Sequence, residues 1–424
     1  MGPAPAAAGI APSRDSEVAA SRSAASRSER RAWLAPAGLL ELAVPRILIP
    51  AAVAGVVAAL LTMLVLPLVA RIAASLRALD VPGGRRDHER ATPRLGGLAI
   101  ACGVVLGAGA ATVTAWGAIG ARLRGAELAA LVVATAIVFL IGLVDDLIGL
   151  SVSTKFLAEF AAACIVVGAG WRFSVLGVPG GHAIALGSLG PVVTVLWLVG
   201  VTNAINLVDG LDGLAGGVVA IIAASMSVYA FLQENPGSII LMAAVAGACL
   251  GFLHQNWAPA RIFMGDAGAL TLGFLLAATC VHSSIKASAT VAILVPILAL
   301  GLPVMDTLLV MAVRFQARSH GSLAERFLAM FSADRNHLHH HLQRWARSRN
   351  QVVTIVYVVT LAFCTLALVV AYTKNNVVGA ALVIVELLVV MVMRSLGLGR
   401  AVRRLAEKQR LEVEQRLAGE DGAG

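Results

Sequence analysis

The sequence predicts an all-α, polytopic integral membrane protein with about eleven transmembrane helices. Charged residues make up only 13% of the 424 residues, whereas a soluble domain carries about 25%. Hydrophobic residues reach 58% and the mean hydropathy is +0.85, so the chain lacks the polar surface that a soluble protein of this length needs. The apolar runs are long and continuous, unlike the alternating strands of a membrane barrel. These observations exclude a soluble enzyme, a disordered regulator and a disulfide scaffold.

Eleven apolar segments are each long enough to cross the hydrocarbon core. They are predicted at 47–70, 95–117, 127–144, 156–171, 189–206, 213–232, 238–255, 267–284, 288–313, 352–373 and 376–393. A disordered extension rich in Ala, Ser and Arg is predicted at 1–46, and a polar cytoplasmic tail at 394–424. The membrane-embedded domain, with its active-site loops, is therefore predicted at 47–393.

The distribution of Lys and Arg predicts the orientation of the bundle. One set of connections and the tail after the last segment hold 22 of these residues, and the opposite set of connections holds five. The richer set is therefore predicted to be cytoplasmic. The six arginines of the N-terminal extension would then lie outside the cell, contrary to the positive-inside rule, but the Lys and Arg residues of the cytoplasmic connections outnumber them.

The net charge of +9 has the same origin. Because the basic residues lie in short loops and tails, topology and anionic lipid headgroups explain them, and no nucleic-acid partner is expected. The five cysteines lie inside apolar runs without metal-ligand spacing, and they are interpreted as small buried apolar residues.

Polar side chains gather at the ends of apolar segments, where charge is costly and usually has a partner or a function. They are Asp145 and Asp146 at the end of the third segment, Asn203, Asn206, Asp209 and Asp212 at the end of the fifth, His254, Asn256 and Asp266 following the seventh, Asp306 near the end of the ninth, and His337, His339, His340 and His341 beyond it. Since alternate segments run in opposite directions, all of these positions fall on the predicted cytoplasmic face. They predict one acidic site at the inner membrane boundary.

Several carboxylates without nearby thiolates suit a hard divalent cation, Mg²⁺ or Mn²⁺. Arginines and histidines around such a site suit an anionic substrate. Together they favour metal-assisted chemistry on a phosphate or diphosphate at a membrane.

Five sequence blocks resemble those of the bacterial polyprenyl-phosphate N-acetylhexosamine-1-phosphate transferases, and the chain looks closer to the WecA/TagO branch than to MraY. The blocks are DVPGGRRDHERATPRLGG from Asp80, GLVDDLIGL from Gly142, NAINLVDGLDGLAGG from Asn203, NWAPARIFMGDAG from Asn256 and DRNHLHHHL from Asp334. The resemblance covers roughly residues 47–393, in the same order. The sequence departs from the pattern at Glu159, where Gln is common, and in its N-terminal extension.

The resemblance implies an activity. An enzyme of that branch transfers N-acetylglucosamine-1-phosphate from UDP-N-acetylglucosamine to undecaprenyl phosphate and releases UMP, which starts a cell-envelope glycan such as teichoic acid or lipopolysaccharide. It implies a multi-pass protein of the bacterial cytoplasmic membrane with its site facing the cytoplasm. A homodimer is also expected, because the family tends to dimerise.

The resemblance also assigns roles to residues. Catalytic roles fall to Asp145, Asp146, Asp209 and Asp212, magnesium binding to Asp266, Asp146 and Asp209, and substrate binding to Asn206, Asn256, Phe263, Arg85, Arg86, His88, His339, His340 and His341. Spacing supports part of this set, because Asn206, Asp209 and Asp212 lie three apart and share one side of a helical turn. An aromatic ring three residues before Asp266 suits stacking on uracil.

Each assignment has a structural alternative. The two adjacent aspartates could be a helix end bound to basic residues, Phe263 could be core packing, and one of the histidines could be structural. The first-loop Arg85, Arg86 and His88 could simply mark the inner side. Asp306 is expected to orient Arg314 or to stabilise the bundle.

Two alternative functions and two mechanistic paths also stay open. The chain could be the related phospho-N-acetylmuramoyl-pentapeptide transferase, which uses a different sugar, or a lipid or sugar transporter, which also has intramembrane carboxylates. Asp145 is assigned as a base, but a phosphate monoester with a second pKa near ~6 needs little deprotonation. A two-step path through an aspartyl-phosphate is the other possibility.

Overall fold

A computed structural model describes residues 37–80, 91–114, 125–177, 183–286, 293–317, 322 and 337–396. The chain divides into two compact units, 1–49 and 50–424. The described part of the first unit is the beginning of helix α1. All tertiary contacts discussed below belong to the second unit.

The described residues confirm an all-α, polytopic membrane protein. Its helices are α1 Ala37–Ser75, α2 Gly96–Thr114, α3 Gly125–Ile148, α4 Val152–Gly168, α5 Leu189–Val208, α6 Leu214–Leu232, α7 Pro236–Asn256, α8 Gly265–Lys286, α9 Leu294–Ala299, α10 Gly301–Ala317, α11 Leu338–Trp345, α12 Arg349–Thr373 and α13 Asn376–Leu396. Within these residues, nine helices have the length and hydropathy of a membrane span. They correspond to nine of the eleven predicted segments.

The other two predicted segments are also helical, but neither is a single long span. The segment 156–171 forms α4, which begins earlier because the side chain of Ser151 accepts a hydrogen bond from the Thr154 amide and caps the helix. Its 17 residues are at the short end of what crosses the hydrocarbon core. The segment 288–313 is divided into α9 and α10 at Leu300, with Pro303 in the first turn of α10, where its missing amide proton costs no helical bond.

Two predicted boundaries are wrong by whole turns. Residues 37–46, assigned to a disordered extension, are helical and continuous with α1, because their Ala, Leu and Glu residues are strong helix formers. The third segment, predicted to stop at 144, continues through Asp145 and Asp146 to Ile148, since the helix ends only where Gly149 adopts a φ of 71°. Residues 1–36 and 397–424 lie outside the described residues.

Two short antiparallel pairs complete the described elements. β1 Leu79–Asp80 pairs with β2 Thr92–Pro93, and β3 Val175–Gly177 pairs with β4 Ala183–Ala185. The first pair leads directly into α2 and lies beside the candidate site.

Helix α8 lies at the centre of the second unit, and 89% of its most apolar 18-residue stretch is buried. It packs against α2, α3 and α5, and small residues make the approach close. A Cβ added at Gly273 would lie 2.8 Å from the Thr202 Cα on α5. Because α3 and α5 end where α8 begins, this packing brings the ends of the three helices to one end of the bundle.

Candidate active site

A cavity of about 330 Å³ lies at the end of the bundle where α3, α5 and α7 end and α8 begins. We call it the acidic cavity, and its lining comprises Asp80, Arg94, Asp146, Asp209, Gly210, Leu211, Asp212, Asn256, Phe263, Gly265, Asp266, His340, Gln343 and Arg349. Five aspartates therefore meet on its wall, together with two arginines and one histidine. The excess of carboxylates makes the cavity suited to a cation and to a ligand that shares it.

Asp146 holds the beginning of α8 in place. Its Oδ1 accepts a hydrogen bond from the Asp266 amide at 2.9 Å, and its Oδ2 accepts one from the Ala267 amide at 3.0 Å. These are amides of the first turn, which have no partner within the helix. Gly265, with a φ of 72°, makes the close contact possible, because an added Cβ would overlap the Asp146 carboxylate and the Arg94 carbonyl. Asp146 thus fixes the position of Asp266.

Lys155 connects two carboxylates that the sequence assigned to the chemistry. Its Nζ lies 2.6 Å from Asp266 Oδ2 and 3.4 Å from Asp145 Oδ2. Asp145 is held further by the Leu150 amide, which donates to its Oδ1 at 2.7 Å. The three charged side chains are contributed by α3, α4 and α8, and their side chains are 16–24% exposed. These side chains are solvated enough for Lys155 to exchange a carboxylate for a bound anion.

Asp209 lies just beyond α5 in a concentration of negative charge. Burial, together with the charges of Asp266, Asp146 and Asp212, raises its pKa to about 7. Each extra carboxylate nearby makes a second negative charge less favourable. A divalent cation in the cavity would remove this penalty.

The donor set of the cavity fits such a cation. Carboxylate oxygens are the ligands that Mg²⁺ prefers, and it usually binds one or two of them together with substrate phosphates. Among the described residues, no three His, Cys, Asp or Glu side chains form a metal-binding group by themselves. Asp266 and Asp209 are the residues that would hold the ion, because both oxygens of Asp146 already accept backbone amides.

Asn256 and Asp212 organise the loops around the cavity. The Asn256 amide nitrogen donates to the Ile262 carbonyl at 2.8 Å, and its oxygen accepts from the Gly213 amide at 2.9 Å. Asp212 Oδ2 accepts from the Ala260 amide at 2.9 Å. Asn256, which is only 3% exposed, therefore joins the turn after α5 to the loop after α7. Its predicted contact with substrate stays a prediction.

Phe263 lies on the cavity wall, in a segment held by backbone bonds. Its amide donates to the Pro93 carbonyl at 2.7 Å, and its carbonyl accepts from the Gly96 amide at 2.9 Å. Arg94 lies beside it and donates from Nε to the Asp146 carbonyl at 2.8 Å. The ring is thereby fixed within reach of a ligand in the cavity.

The three predicted histidines have different surroundings. Of these, His340 lines the cavity, and its Nδ1 lies 3.3 Å from Gln343 Oε1. His339 is 6% exposed and packs against Gly210. Burial and the neighbouring His340 and His337 lower its pKa to about 3, so its ring is neutral. His341 is 8% exposed and does not appear among the lining residues that the structure describes.

The structure brings most of the predicted residues together. Those on the wall of the acidic cavity are Asp146, Asp209, Asp212, Asn256, Phe263, Asp266 and His340. Asp145 joins them through Lys155, whereas Asn206 lies one turn earlier on α5, outside the described lining. Arg85, Arg86 and His88 lie outside the described residues.

Sequence reasoning missed several basic and polar residues of the site. They are Lys155, Arg94, Arg349, Gln343 and Asp80. Three of them are single basic residues at segment ends, which the orientation rule explains equally well. For Lys155 the sequence did contain a signal, because it lies one helical turn before Glu159, so both charged side chains share one face of α4. That face points into the bundle, where the Asn203 side-chain amide donates a hydrogen bond to Glu159.

The family model described as glycosyl transferase family 4 matches residues 128–284. This range includes α4 to α7, most of α3 and α8, and most of the acidic wall of the cavity.

Similar full-length proteins support the same family. A Bacillus subtilis protein named "probable undecaprenyl-phosphate N-acetylglucosaminyl 1-phosphate transferase" is 32% identical over 339 residues, which cover 80% of this chain and 89% of that protein. A decaprenyl-phosphate N-acetylglucosaminephosphotransferase of Mycobacterium tuberculosis is 34% identical over 72% of this chain and 79% of its own. A phospho-N-acetylmuramoyl-pentapeptide-transferase of Bacillus cereus is 31% identical over 76% of this chain and 97% of its own.

Proposed function

Because the chain belongs to glycosyl transferase family 4, the polyprenyl-phosphate N-acetylhexosamine-1-phosphate transferases, we propose that it transfers N-acetylglucosamine-1-phosphate from UDP-N-acetylglucosamine to undecaprenyl phosphate and releases UMP. The acidic cavity carries this proposal. It places Asp266 and Asp209, an aromatic ring and basic side chains on one wall at the end of the bundle. The names of two similar proteins, from Bacillus subtilis and Mycobacterium tuberculosis, support N-acetylglucosamine as the sugar.

The cavity offers a separate contact to each part of the donor. Phe263 would stack on the uracil ring, and His340 and Arg349 would contact phosphate oxygens. Asp266 and Asp209 would hold Mg²⁺, or Mn²⁺ in its place. Bound there, the ion would neutralise charge on the diphosphate and on the departing UMP. Lys155 lies 2.6 Å from Asp266, so it can turn to the same phosphates.

The phosphate of the lipid acceptor would attack the phosphorus that carries the sugar. One P–O bond forms as the P–O bond to UMP breaks, and UMP leaves with the bonding electrons. A phosphate monoester with a second pKa near ~6 is largely dianionic at neutral pH, so a base contributes little. The carboxylate of Asp145 contacts Lys155 and the Leu150 amide, which favours a positioning role for it over proton removal.

An assay with purified protein tests the proposal. The protein is incubated with undecaprenyl phosphate, Mg²⁺ and one UDP-sugar at a time, and UMP is measured. UMP release with UDP-N-acetylglucosamine, its loss on chelation and its return with added Mg²⁺ or Mn²⁺ are expected. No UMP from any UDP-sugar would overturn the transferase assignment.

The same assay separates the other candidates. Release of UMP only with UDP-N-acetylmuramoyl-pentapeptide would assign the chain to the activity for which its Bacillus cereus relative is named. Counterflow of a labelled lipid without UMP would indicate a transporter. Exchange of label between UMP and the UDP-sugar in the absence of lipid would indicate the two-step path through an aspartyl-phosphate.

The proposal includes a location. The enzyme would be a multi-pass protein of the bacterial cytoplasmic membrane, with the acidic cavity open to the cytoplasm. The connections and tail on the cavity side hold 22 Lys and Arg residues and the opposite connections hold five, which supports this orientation. A homodimer is the oligomeric state we propose, and crosslinking in the membrane would test it.

A further inference from the structure

A buried charged cluster lies outside the acidic cavity, where α10, α11 and α13 meet. Asp306 Oδ1 accepts hydrogen bonds from Arg394 Nη1 at 2.7 Å and from the Leu338 amide at 3.0 Å. Asp306 Oδ2 accepts one from His337 Nδ1 at 3.1 Å. The three side chains are 5–14% exposed. We call Asp306, His337 and Arg394 the Asp306 cluster.

The cluster supplies what α11 lacks by itself. This helix has only eight residues, and isolated helices shorter than about 12 residues are marginal in water. Its first amides have no helical partner, and the side chain of His337, at the N-cap, makes no capping bond. Asp306 caps the helix from α10 by accepting the Leu338 amide.

The same short helix carries side chains of the acidic cavity. His340 and Gln343 lie on the cavity wall, and the neutral ring of His339 packs on Gly210 beside Asp209. His340 is two residues from Leu338, so a shift of the capped end moves it directly. A displacement of about 1 Å at a reacting centre can cost about 100-fold in rate.

We propose that Asp306 is a positioning residue for the transfer reaction: it holds α11 so that His340 and Gln343 face the substrate, and Arg394 of α13 keeps it charged and oriented. The catalytic part of this statement rests on the proposed function. The structural part does not. Loss of Arg394 would leave the carboxylate buried without its cationic partner, which is strongly destabilising for a buried pair.

Hydrogen exchange tests the structural part without any substrate. Asp306→Asn and, as a second variant, Arg394→Gln are compared with Thr307→Val, whose hydroxyl bonds only to Pro303 of its own helix. Exchange in residues 338–345 is expected to rise at least 10-fold in the first two variants, with α3 and α8 unchanged. Unchanged exchange in 338–345 in both variants would overturn the proposal.

UMP release then tests the catalytic part through a double-mutant cycle with His340→Ala. Asp306→Asn is expected to lower kcat about 10-fold or more while hydrogen exchange in α3 and α8 stays unchanged, and Thr307→Val is expected to leave kcat near wild type. If Asp306 acts through α11, its substitution adds little in the His340→Ala background. Full additivity of the two losses, or wild-type kcat in Asp306→Asn, would overturn the positioning role.

Wild-type protein that releases no UMP from any sugar would refute the proposed function instead, and the exchange result would still decide the structural claim.

Discussion

Lys155 is the single residue whose charge most directly affects the carboxylates of the site. Its ammonium group lies between Asp266 and Asp145, so it neutralises one of two carboxylates contributed by separate helices. Asp266 would hold Mg²⁺ in the proposed function, and the Lys155 ammonium group would then be available to phosphate oxygens of the substrate. One side chain would then serve both the empty and the occupied cavity.

Lys155→Met should therefore lower kcat for UMP release by about 100-fold, the usual loss when one electrostatic contact to developing charge is removed. Lys155→Arg keeps the charge and should retain more activity. The measurement is steady-state UMP release at saturating UDP-sugar, with thermal unfolding in detergent as a check on folding. A kcat of Lys155→Met within threefold of wild type would show that the residue has no part in the reaction.

His339 makes a prediction about pH. Its pKa is lowered to about 3 by burial, whereas an unfolded chain would show the usual value near ~6.5. The unfolded state therefore takes up a proton below about pH 6.5 and the folded state does not, so stability is lost as the pH falls through that range. The melting temperature of wild type should fall from pH 7.5 to pH 5.5, and less steeply in His339→Asn. Equal slopes for both proteins would contradict this account.

Residues with a chemical signature could be predicted from the sequence, and residues with a positional role could not. Asp146, Asp209 and Phe263 occur in recognisable blocks, and the structure brings them to one cavity. Lys155 and Arg349 are single basic residues near segment ends, a pattern that membrane topology alone explains. Asp306 was expected to orient Arg314 or to stabilise the bundle, and its contacts with His337, Leu338 and Arg394, which are distant in the chain, have no local signal.

At the scale of elements, hydropathy predicted where helices lie but not where they break. The apolar run 288–313 contains no charged residue before Asp306, so a single span and two helices have the same hydropathy. The break at Leu300 has one local cause, because Pro303 has no amide proton to donate to Ala299. It also has close packing beside it, since the Glu386 carboxylate of α13 lies directly against Gly301 and leaves no room for a Cβ. Such a contact joins residues 85 positions apart and has no local signal.

The junction of α3 and α8 provides a matched pair of glycines. Gly265 and Gly149 have φ angles of 72° and 71°, so alanine costs about 1 kcal/mol of backbone strain at each. At Gly265 an added Cβ also overlaps Asp146 and Arg94, whereas Gly149 has nothing within 4 Å. Gly265→Ala should therefore be the more destabilising by a further ~1–3 kcal/mol, and it should also lower kcat by displacing Asp266.

Thermal unfolding and UMP release of the two variants distinguish strain from overlap. Gly200→Ala, in the middle of α5 with open space around it, serves as a control with ordinary helical geometry and should not lower stability. If Gly149→Ala and Gly265→Ala prove equally stable and equally active, the contact between Asp146 and the beginning of α8 does not position Asp266.

At the scale of the whole molecule, the position of the acidic cavity and the distribution of basic residues are independent observations that point the same way. The cavity lies where α3 and α5 end and α8 begins. The connections at that end carry most of the Lys and Arg residues. Positively charged connections tend to stay in the cytoplasm during insertion, so the distribution of basic residues supports the proposed cytoplasmic side for the cavity.

Reporter fusions would test this orientation directly. Because α12 begins at the cavity end and α13 returns to it, a fusion after Leu396 and one after Lys374 should lie on opposite sides of the membrane. Green fluorescent protein after Leu396 should fluoresce, and alkaline phosphatase there should be inactive, whereas alkaline phosphatase after Lys374 should be active. The reverse pattern would place the cavity outside. In that case the six arginines of the N-terminal extension, which would then lie inside, would outweigh the loops in setting the topology.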